Sequence, residues 1–374
     1  MHITLIRQRY NPYGGAERFL SRALGALDNS GIKISLVTRD WGAINGIDVV
    51  FCNPFYLGRL WRDWGFAHKV CQQVKTVKTD LIQSHERVVC CDIYRAGDGI
   101  RKVWLEQRAR GQSWPAKICL RFSLYHNYIK RAEKQVLESS RLRAVICNSY
   151  MVRGEILQNF KIDAAKIHVI YNGLDTKLFH PDIKQNNNSL RVQWNIPEFA
   201  NVFVFVGSGF ERKGMLQILR AFAELSENSY LLVAGYDKRQ RFYHKEVGRL
   251  GISTRIKFLG PQKDVLPCYA VADAFVFPTL YDPFPNVVLE AMACGLPVIT
   301  STKSGAAEVI TDHLNGFVCD AFDLQGLQNA MQILCDKDVA KAMGTQARIT
   351  AEKYDLATMV EQLSALYKSL LPPT

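Results

Sequence analysis

Short apolar runs alternate along this chain with segments of helical spacing, and most of the runs end in glycine or a polar residue. Short, continuous apolar runs are typical of strands that are buried on both faces of a parallel sheet. The alternation therefore predicts an α/β fold built from parallel βα units. Strands are predicted at residues 2–6, 32–37, 49–52, 81–84, 144–149 and 167–171, and then at 202–206, 230–234, 256–259, 274–277 and 297–300.

The two series of strands predict two domains. A chain of 374 residues exceeds what one hydrophobic core usually organises, and the turn signal Asn172-Gly173 separates the series. We predict Rossmann-like domains over residues 1–172 and 173–355, with a C-terminal helix at about 356–374 that packs back on the first. Ligands bind at the carboxyl ends of strands in open parallel sheets, so two such domains facing each other would enclose a cleft.

The positive charge of the chain lies in its first half. The formal net charge is +12, and residues 1–180 hold 28 of the 47 Lys and Arg but only 15 of the 35 Asp and Glu. Between Arg101 and Arg143, 11 basic residues accompany 3 acidic ones, with aromatic residues interleaved. Such a patch indicates an anionic partner: a membrane surface, a phosphorylated acceptor or nucleic acid. The candidate acceptor or membrane residues are Glu17, Arg101, Lys102, Trp104, Arg108, Arg110, Lys117 and Arg121.

Nucleic acid is the least favoured of these partners, because no helix-turn-helix, zinc or RNA-binding signature accompanies the charge. We expect a cytoplasmic protein, peripheral on the inner face of the cytoplasmic membrane, since no apolar run reaches the length of a membrane span and the N-terminus turns polar too soon for a signal peptide. The ten cysteines are irregularly spaced without a Cys-x-x-Cys pair, which predicts buried, reduced thiols and no metal site.

Two carboxylates flank the predicted start of a helix in the C-terminal half. Asp282 follows the strand predicted at 274–277, and Glu290 lies eight residues further on, inside the helix. Backbone N–H groups at a helix start can hold an anion or sugar hydroxyls, and a carboxylate can accept two hydroxyl hydrogen bonds. The arrangement suits a sugar and a ribose side by side. The alternative is a capped helix with a solvated Glu290.

Two cations lie in a second glycine-rich loop. Arg212 and Lys213 follow Gly207-Ser208-Gly209 and precede Gly214, at the amino end of a predicted helix. Two cations at a helix start suit a diphosphate. The alternative is an exposed pair on a basic helix.

In combination, these segments resemble the retaining glycosyltransferases of the GT4 family, which have the GT-B fold. The resemblance spans most of the chain, and no single segment would be specific. It covers Asn11–Arg18, Tyr171–Asp175, Val206–Gly214 and Asp282–Glu290, followed by Ala-Met-Ala-Cys-Gly-Leu-Pro-Val. At Arg212–Gly214, Gly235–Lys238 and the Asp282–Glu290 region, the chain is similar to glucosyltransferases of lipopolysaccharide core synthesis.

The resemblance implies transfer of a hexose from a nucleotide diphosphate sugar, UDP-glucose in the first place, to a saccharide or glycolipid acceptor of lipopolysaccharide core or a related cell-surface glycan. It implies retention at the anomeric carbon by a front-face route, no cofactor and no metal. A monomer is expected. UDP-GlcNAc, UDP-galactose or GDP-mannose on another glycan, a sugar-nucleotide epimerase of the same fold, and a catalytically silent binding module remain alternatives.

The same resemblance implies the roles of individual residues. Arg212 and Lys213 would bind the donor diphosphate, Asp282 the hydroxyls of the transferred sugar, and Glu290 the ribose. Asp98, between Gly97 and Gly99, would be a polar catalytic residue of the first domain. Backbone N–H groups and a close approach to the donor would come from Phe284, Asn286, Val287, Gly14 and Gly15.

Two positions depart from the family pattern. The first acidic residue is Asp282, where the family usually has glutamate, and Pro285 stands where glycine is frequent. Aspartate is one methylene shorter, and proline removes a backbone donor. Both positions would border the transferred sugar, so they put its identity in doubt. His85-Glu86, which follows a strand, is a weaker candidate for the site.

Overall fold

The computed structural model describes residues 1–9, 31–41 and 47–372. The chain divides into two compact units: a first unit of Met1–Gly173 with Leu356–Thr374, and a second unit of Leu174–Asp355. Each unit carries one sheet with helices, as the alternation of apolar runs predicts, and the α/β prediction is confirmed. The helix-like segment that follows the first strand, with Gly14, Gly15 and Glu17, lies outside the described residues.

The first unit contains a seven-stranded sheet in the order β3-β2-β1-β4-β5-β6-β7, and every neighbouring pair is parallel. Its strands are β1 His2–Ile6, β2 Lys33–Thr38, β3 Asp48–Phe51, β4 Leu81–Ser84, β5 Ile93–Arg95, β6 Ala144–Cys147 and β7 Ile167–Val169. Its first helices are α1 Gly58–Gln73, α2 Arg101–Arg110, α3 Trp114–Phe122, α4 Leu124–Leu137 and α5 Tyr150–Asn159. The strand β5 has only three residues and was not predicted.

The second unit contains a six-stranded parallel sheet in the order β10-β9-β8-β11-β12-β13. Its strands are β8 Asn201–Val206, β9 Ser229–Ala234, β10 Ile256–Gly260, β11 Ala274–Phe277, β12 Val298–Ser301 and β13 Gly316–Cys319. Its helices are α6 Asn187–Gln193, α7 Met215–Ala223, α8 Gln240–Arg249, α9 Leu266–Val271, α10 Asn286–Ala293, α11 Leu324–Ile333 and α12 Lys337–Ala351. The central strands β8 and β11 are buried along almost their whole length, which explains their uninterrupted apolar sequence.

The last helix, α13 Leu356–Ser369, packs on the first unit. Its apolar face joins the core of β1, β2, β4 and β6 through Met359, Leu363 and Tyr367. The Tyr367 hydroxyl donates to Gln83 Oε1 over 2.8 Å, which satisfies two buried polar groups at once. The apolar face of this helix therefore packs on the sheet that contains the first strands of the chain, although the second unit lies between them in sequence.

The prediction of reduced thiols is wrong for one pair. Cys71 at the end of α1 and Cys90 in the loop before β5 form a disulfide, with their Cα atoms 5.4 Å apart. Spacing alone could not indicate this pair, because the two cysteines meet only when α1 packs beside the loop after β4. The other cysteines are free thiols, and most of them are buried. Within the described residues, no helix is both long enough and apolar enough to cross a bilayer.

Candidate functional site

Two loops of the second unit bring a cation pair onto a carboxylate. Arg212 and Lys213 lie between β8 and α7, and Asp282 lies between β11 and α10. Arg212 Nη1 is 3.1 Å from Asp282 Oδ2 and also donates to the Tyr281 carbonyl over 3.1 Å. Lys213 Nζ donates to the same carboxylate oxygen of Asp282. Both loops follow carboxyl ends of neighbouring strands, which is the edge where parallel sheets bind ligands.

The backbone fixes this geometry. Thr279 Oγ1 and the Leu280 N–H both donate to the Arg212 carbonyl, over 2.9 Å and 2.8 Å. Gly214, which precedes α7, has φ +78°, and a Cβ there would collide with the carbonyl of Pro278. Glycine is therefore required where the two loops touch.

Burial sets the electrostatics of the pair. Burial and, to a smaller extent, the neighbouring Arg212 lower the pKa of Lys213, Asp282 opposes both, and the resulting pKa is about 8. Burial alone would raise the pKa of Asp282, but Lys213 and Arg212 outweigh it and hold that pKa below its usual value. At neutral pH the Asp282 carboxylate and the Lys213 amine are thus both charged. Lys213 Nζ also lies 4.7 Å from the centre of the Phe277 ring, a favourable contact for a cation. The alternative of an exposed cation pair is wrong for Lys213, whose side chain is 11% exposed.

Glu290 lies on α10 and is buried rather than solvated, so the capped helix with a solvated Glu290 is excluded. The Tyr269 hydroxyl donates to Glu290 Oε2 over 3.0 Å. Burial and the Glu290 carboxylate raise the pKa of Tyr269 well above its usual value, so the tyrosine stays a donor. Asn286 and Val287 form the first turn of α10, where backbone N–H groups point out of the helix end.

Asp282, Phe284 and Pro285 lie in the segment just before α10. Pro285 caps α10 without a side-chain hydrogen bond, and Phe284 just before it is buried. Asp282 also forms an isolated parallel bridge with Ser304, in the loop after β12. A third loop at the same sheet edge is therefore joined to the Asp282 segment.

Asp98 lies in the first unit, shortly after β5, with its side chain half exposed. Arg87 Nη1 is 3.5 Å from Asp98 Oδ2, and Arg87 Nε donates to the buried Glu133 over 3.0 Å. The Glu133 carboxylate also accepts the backbone N–H of Arg101, where α2 begins. No sequence pattern indicated Glu133, which is 35 residues from Asp98 and is linked to it through Arg87.

The weaker candidates His85 and Glu86 lie beside this group. Burial lowers the pKa of His85 well below its usual value, and Arg95 and Arg7 add to the effect. Glu86 accepts the Gln8 backbone N–H over 2.9 Å, and burial raises its pKa. Both residues are nevertheless only partly buried, and the Glu86 side chain is 21% exposed.

The predicted basic patch is only partly a surface. Arg101 turns inward, where its guanidinium donates to His126 Nδ1 over 2.7 Å, and burial lowers its pKa. Trp104 and Arg108 are half-buried, whereas Lys102 and Arg110 are exposed. The exposed part concentrates on α3 and its ends, where no residue of the helix is buried. We call this the α3 surface; its exposed members are Trp114, Lys117, Ile118, Arg121, Phe122 and Leu124.

No group of three or more His, Cys, Asp or Glu side chains suited to a metal ion occurs among the residues that the structure describes. The sequence Asp336-Lys337-Asp338 has the spacing of two acidic metal ligands. Asp336, however, uses its carboxylate to cap α12 by accepting the N–H groups of Asp338 and Val339. Metal independence stays a prediction.

Two family models account for nearly all of the chain. The model described as Glycosyltransferase Family 4 matches residues 13–178, and the model described as Glycosyl transferases group 1 matches residues 186–350. The chain thus combines two glycosyltransferase families, one in each half. The boundary between the two matches falls after residue 178, close to the division between the two units.

Known proteins support this assignment over the full length. The transferase is 23% identical over 374 residues to the lipopolysaccharide glucosyltransferase WaaG of Escherichia coli K12, covering 97% of each chain. It is 27% identical to a D-inositol 3-phosphate glycosyltransferase of Corynebacterium kroppenstedtii over 64% of this chain, and that match spans only 55% of the relative. Several curated relatives are thus matched over little more than half their length.

Solved structures confirm the GT-B fold of the transferase. The crystal structure of WaaG, a glycosyltransferase involved in lipopolysaccharide biosynthesis, superposes with a TM-score of 0.83 at 21% identity and covers 98% of this chain and 99% of that one. Anabaena HepE in complex with UDP-glucose superposes with a TM-score of 0.78 at 22% identity, over 99% and 100% of the two chains. At these identities the likeness establishes the fold alone.

Proposed function

We propose that this glycosyltransferase moves a glucosyl group from UDP-glucose to a saccharide of lipopolysaccharide core or a related cell-surface glycan. The observation that carries the proposal is the cation pair Arg212 and Lys213, of which Lys213 is buried, at the carboxyl edge of the second sheet. UDP-glucose is the donor of choice because HepE, which shares the fold, binds it, and because WaaG, which matches the whole chain, is a lipopolysaccharide glucosyltransferase.

In the proposed reaction the bond from the anomeric carbon to the leaving phosphate oxygen breaks, and a bond from the acceptor oxygen to the same carbon forms on the same face. The acceptor proton passes to the leaving phosphate. Negative charge therefore grows on the diphosphate in the transition state, and Arg212 and Lys213 stabilise it where it develops. Asp282 holds hydroxyls of the transferred sugar, and Glu290, kept in place by Tyr269, accepts from the ribose. Asp98, in the first unit, binds the acceptor.

Two experiments test this function: a screen of nucleotide sugars and a substitution of Arg212. Thermal-shift titrations with UDP-glucose, UDP-GlcNAc, UDP-galactose and GDP-mannose should show UDP-glucose as the strongest stabiliser, and stabilisation by GDP-mannose alone would overturn the choice of nucleotide. Arg212→Ala should lower kcat about 100-fold and raise KM by a smaller factor, since it removes a charge contact made mainly in the transition state. Arg220→Ala is the matched control, because Arg220 is exposed at the other end of α7.

Metal independence is part of the same proposal, since two cations already neutralise the diphosphate. Turnover should continue undiminished in excess EDTA. A strict requirement for a divalent ion would show that Arg212 and Lys213 do not carry this role by themselves.

We also propose that the α3 surface docks the enzyme on anionic lipid at the cytoplasmic face of the membrane. Trp114 and Phe122 are 75% and 71% exposed, and Lys117 and Arg121 accompany them on the same short helix. Exposed aromatic side chains with lysine and arginine beside them suit an interface with acidic headgroups.

Co-sedimentation with vesicles tests the docking. The enzyme should pellet with phosphatidylglycerol vesicles and not with phosphatidylcholine vesicles. Reversing the charges at Lys117 and Arg121 to glutamate should abolish the difference, whereas Lys337→Glu, an exposed site on α12 of the second unit, should leave it intact. Equal binding to both kinds of vesicle would contradict the proposal.

A further inference from the structure

The first observation is that the chain's own carboxylate occupies the cation pair. Asp282 Oδ2 contacts both Arg212 Nη1 and Lys213 Nζ. The same two cations are the proposed diphosphate contacts, so a bound diphosphate and the Asp282 carboxylate compete for them. Two anions held on one cation pair repel each other, and binding is stronger if the carboxylate leaves.

The second observation concerns Ser304, which pairs with Asp282 across an isolated parallel bridge. The Asp282 N–H donates to the Lys303 carbonyl over 3.0 Å, and the Gly305 N–H donates to the Asp282 carbonyl over 2.8 Å. Residues paired across such a ladder project their side chains from the same face. The Ser304 hydroxyl and the Asp282 carboxylate are therefore neighbours on one side of the bridge.

Ser304 is 1% exposed, and its Oγ has no hydrogen-bond partner. A buried hydroxyl without a partner is destabilising, and such groups are rare in folded proteins. The backbone of Ser304 is by contrast fully engaged, because its N–H donates to Ser301 and its carbonyl accepts from Ala307. The backbone thus holds the Ser304 hydroxyl beside the Asp282 carboxylate, which contacts Arg212 and Lys213 instead.

We propose that Asp282 is a positioning residue that exchanges partners when the donor binds. In the donor-free enzyme it neutralises Arg212 and Lys213. When the diphosphate takes over those cations, the carboxylate turns to accept the Ser304 hydroxyl, and its remaining lone pairs face a hydroxyl of the transferred sugar. The exchange accounts for both observations, and it gives the short aspartate at this position a defined second partner. It rests on the proposed function in that Arg212 and Lys213 bind the donor diphosphate.

Ser304→Ala gives the first test. Removing an unpartnered hydroxyl should leave the melting temperature of the ligand-free protein unchanged or slightly raised, because nothing in that state bonds to it. Affinity for UDP and for inorganic pyrophosphate, measured by calorimetry, should fall about tenfold, the size of one charge-assisted hydrogen bond gained only in the bound state. Ser364→Ala is the matched control, since Ser364 Oγ is another buried, unpartnered hydroxyl but lies on α13 of the first unit. It should leave both affinities unchanged.

Asp282→Ala gives the second test, in the opposite direction. Removing the competing carboxylate should strengthen pyrophosphate binding about fivefold, because two ion-pair contacts are lost from the free state and one hydrogen bond from the bound state. The measurement is made near pH 6.5, since Lys213 loses a partner that raises its pKa and must stay protonated. In the Asp282→Ala background, Ser304→Ala should have no further effect on pyrophosphate affinity.

The outcomes separate the two proposals. If the wild-type protein binds neither UDP nor pyrophosphate, the diphosphate role of the cation pair fails and the exchange fails with it. If it binds them but Ser304→Ala leaves the affinity unchanged, or Asp282→Ala weakens pyrophosphate binding, the exchange alone is overturned. Should Asp282→Ala not fold, the Ser304→Ala measurement decides by itself.

Discussion

Raising the pH should weaken donor binding through Lys213. Only the protonated amine attracts a diphosphate, and burial places the pKa of this amine at about 8 in the ligand-free protein. A bound diphosphate favours the protonated form, so the pKa is higher in the complex. Above pH 8 the protein must therefore take up a proton to bind, and its affinity falls as pH rises.

The size of the effect follows from the fraction of protonated amine. Affinity should be nearly constant below about pH 7, fall to about half of that value at pH 8 and to about a tenth of it by pH 9, and each further pH unit should cost about 1.4 kcal/mol. The fall should end where the higher pKa of the complex is reached.

Calorimetric titration with UDP between about pH 6.5 and pH 9.5 measures this curve. Repeating it in buffers of different ionisation enthalpy should reveal uptake of about one proton per UDP above pH 8. Lys213→Arg is the control, because arginine keeps its charge throughout this range and the titration of UDP itself is common to both proteins. If the wild-type and Lys213→Arg curves run parallel, the buried amine does not control donor binding.

Three further outcomes are expected. Reducing the Cys71–Cys90 disulfide opens the loop between two cysteines that are 19 residues apart in sequence and should lower the free energy of unfolding by about 3 kcal/mol, measured by urea denaturation with and without dithiothreitol; identical curves would contradict it. Gly214→Ala should lower the melting temperature and abolish UDP binding, because its φ of +78° and the facing carbonyl leave no room for a Cβ; normal binding would show that the two loops need not touch. Glu290→Ala should weaken UDP binding about tenfold, because a charge-assisted hydrogen bond to the ribose is lost. Tyr269→Phe removes only the hydroxyl that donates to Glu290 and should weaken UDP binding less. Full activity of the Glu290→Ala variant would refute the ribose role.

Local sequence was sufficient to predict most of the fold. The predicted strands at 81–84 and 274–277 match β4 and β11 in full. Strand β11 is a continuous apolar run, Ala-Phe-Val-Phe, whereas β4 reads Leu-Ile-Gln-Ser and is nevertheless buried along its whole length. The missed strands β5 and β13 are short, and one of them ends in an arginine. Their strand character comes from pairing with neighbours, which periodicity does not report.

The candidate site, like the fold, was predicted from the sequence only in part. The segments around Arg212, Lys213, Asp282 and Glu290 indicated the class of enzyme through their resemblance to the GT4 family, and that resemblance is a feature of local sequence. The ion pair between Lys213 and Asp282 joins residues 69 apart in sequence, and it forms only because β8 and β11 are adjacent in the sheet.

Sequence thus determined which residues sit at the carboxyl ends of the strands, since the alternation of apolar and polar segments is a property of neighbouring residues. Only the tertiary structure decided how those residues are paired: Glu290 with Tyr269, Asp282 with the two cations and beside Ser304, and Cys71 with Cys90. The physical reason is that the order of strands in a parallel sheet is set by long-range packing of apolar faces. Charge, burial and hydrogen-bond partners at the sheet edge follow from that order.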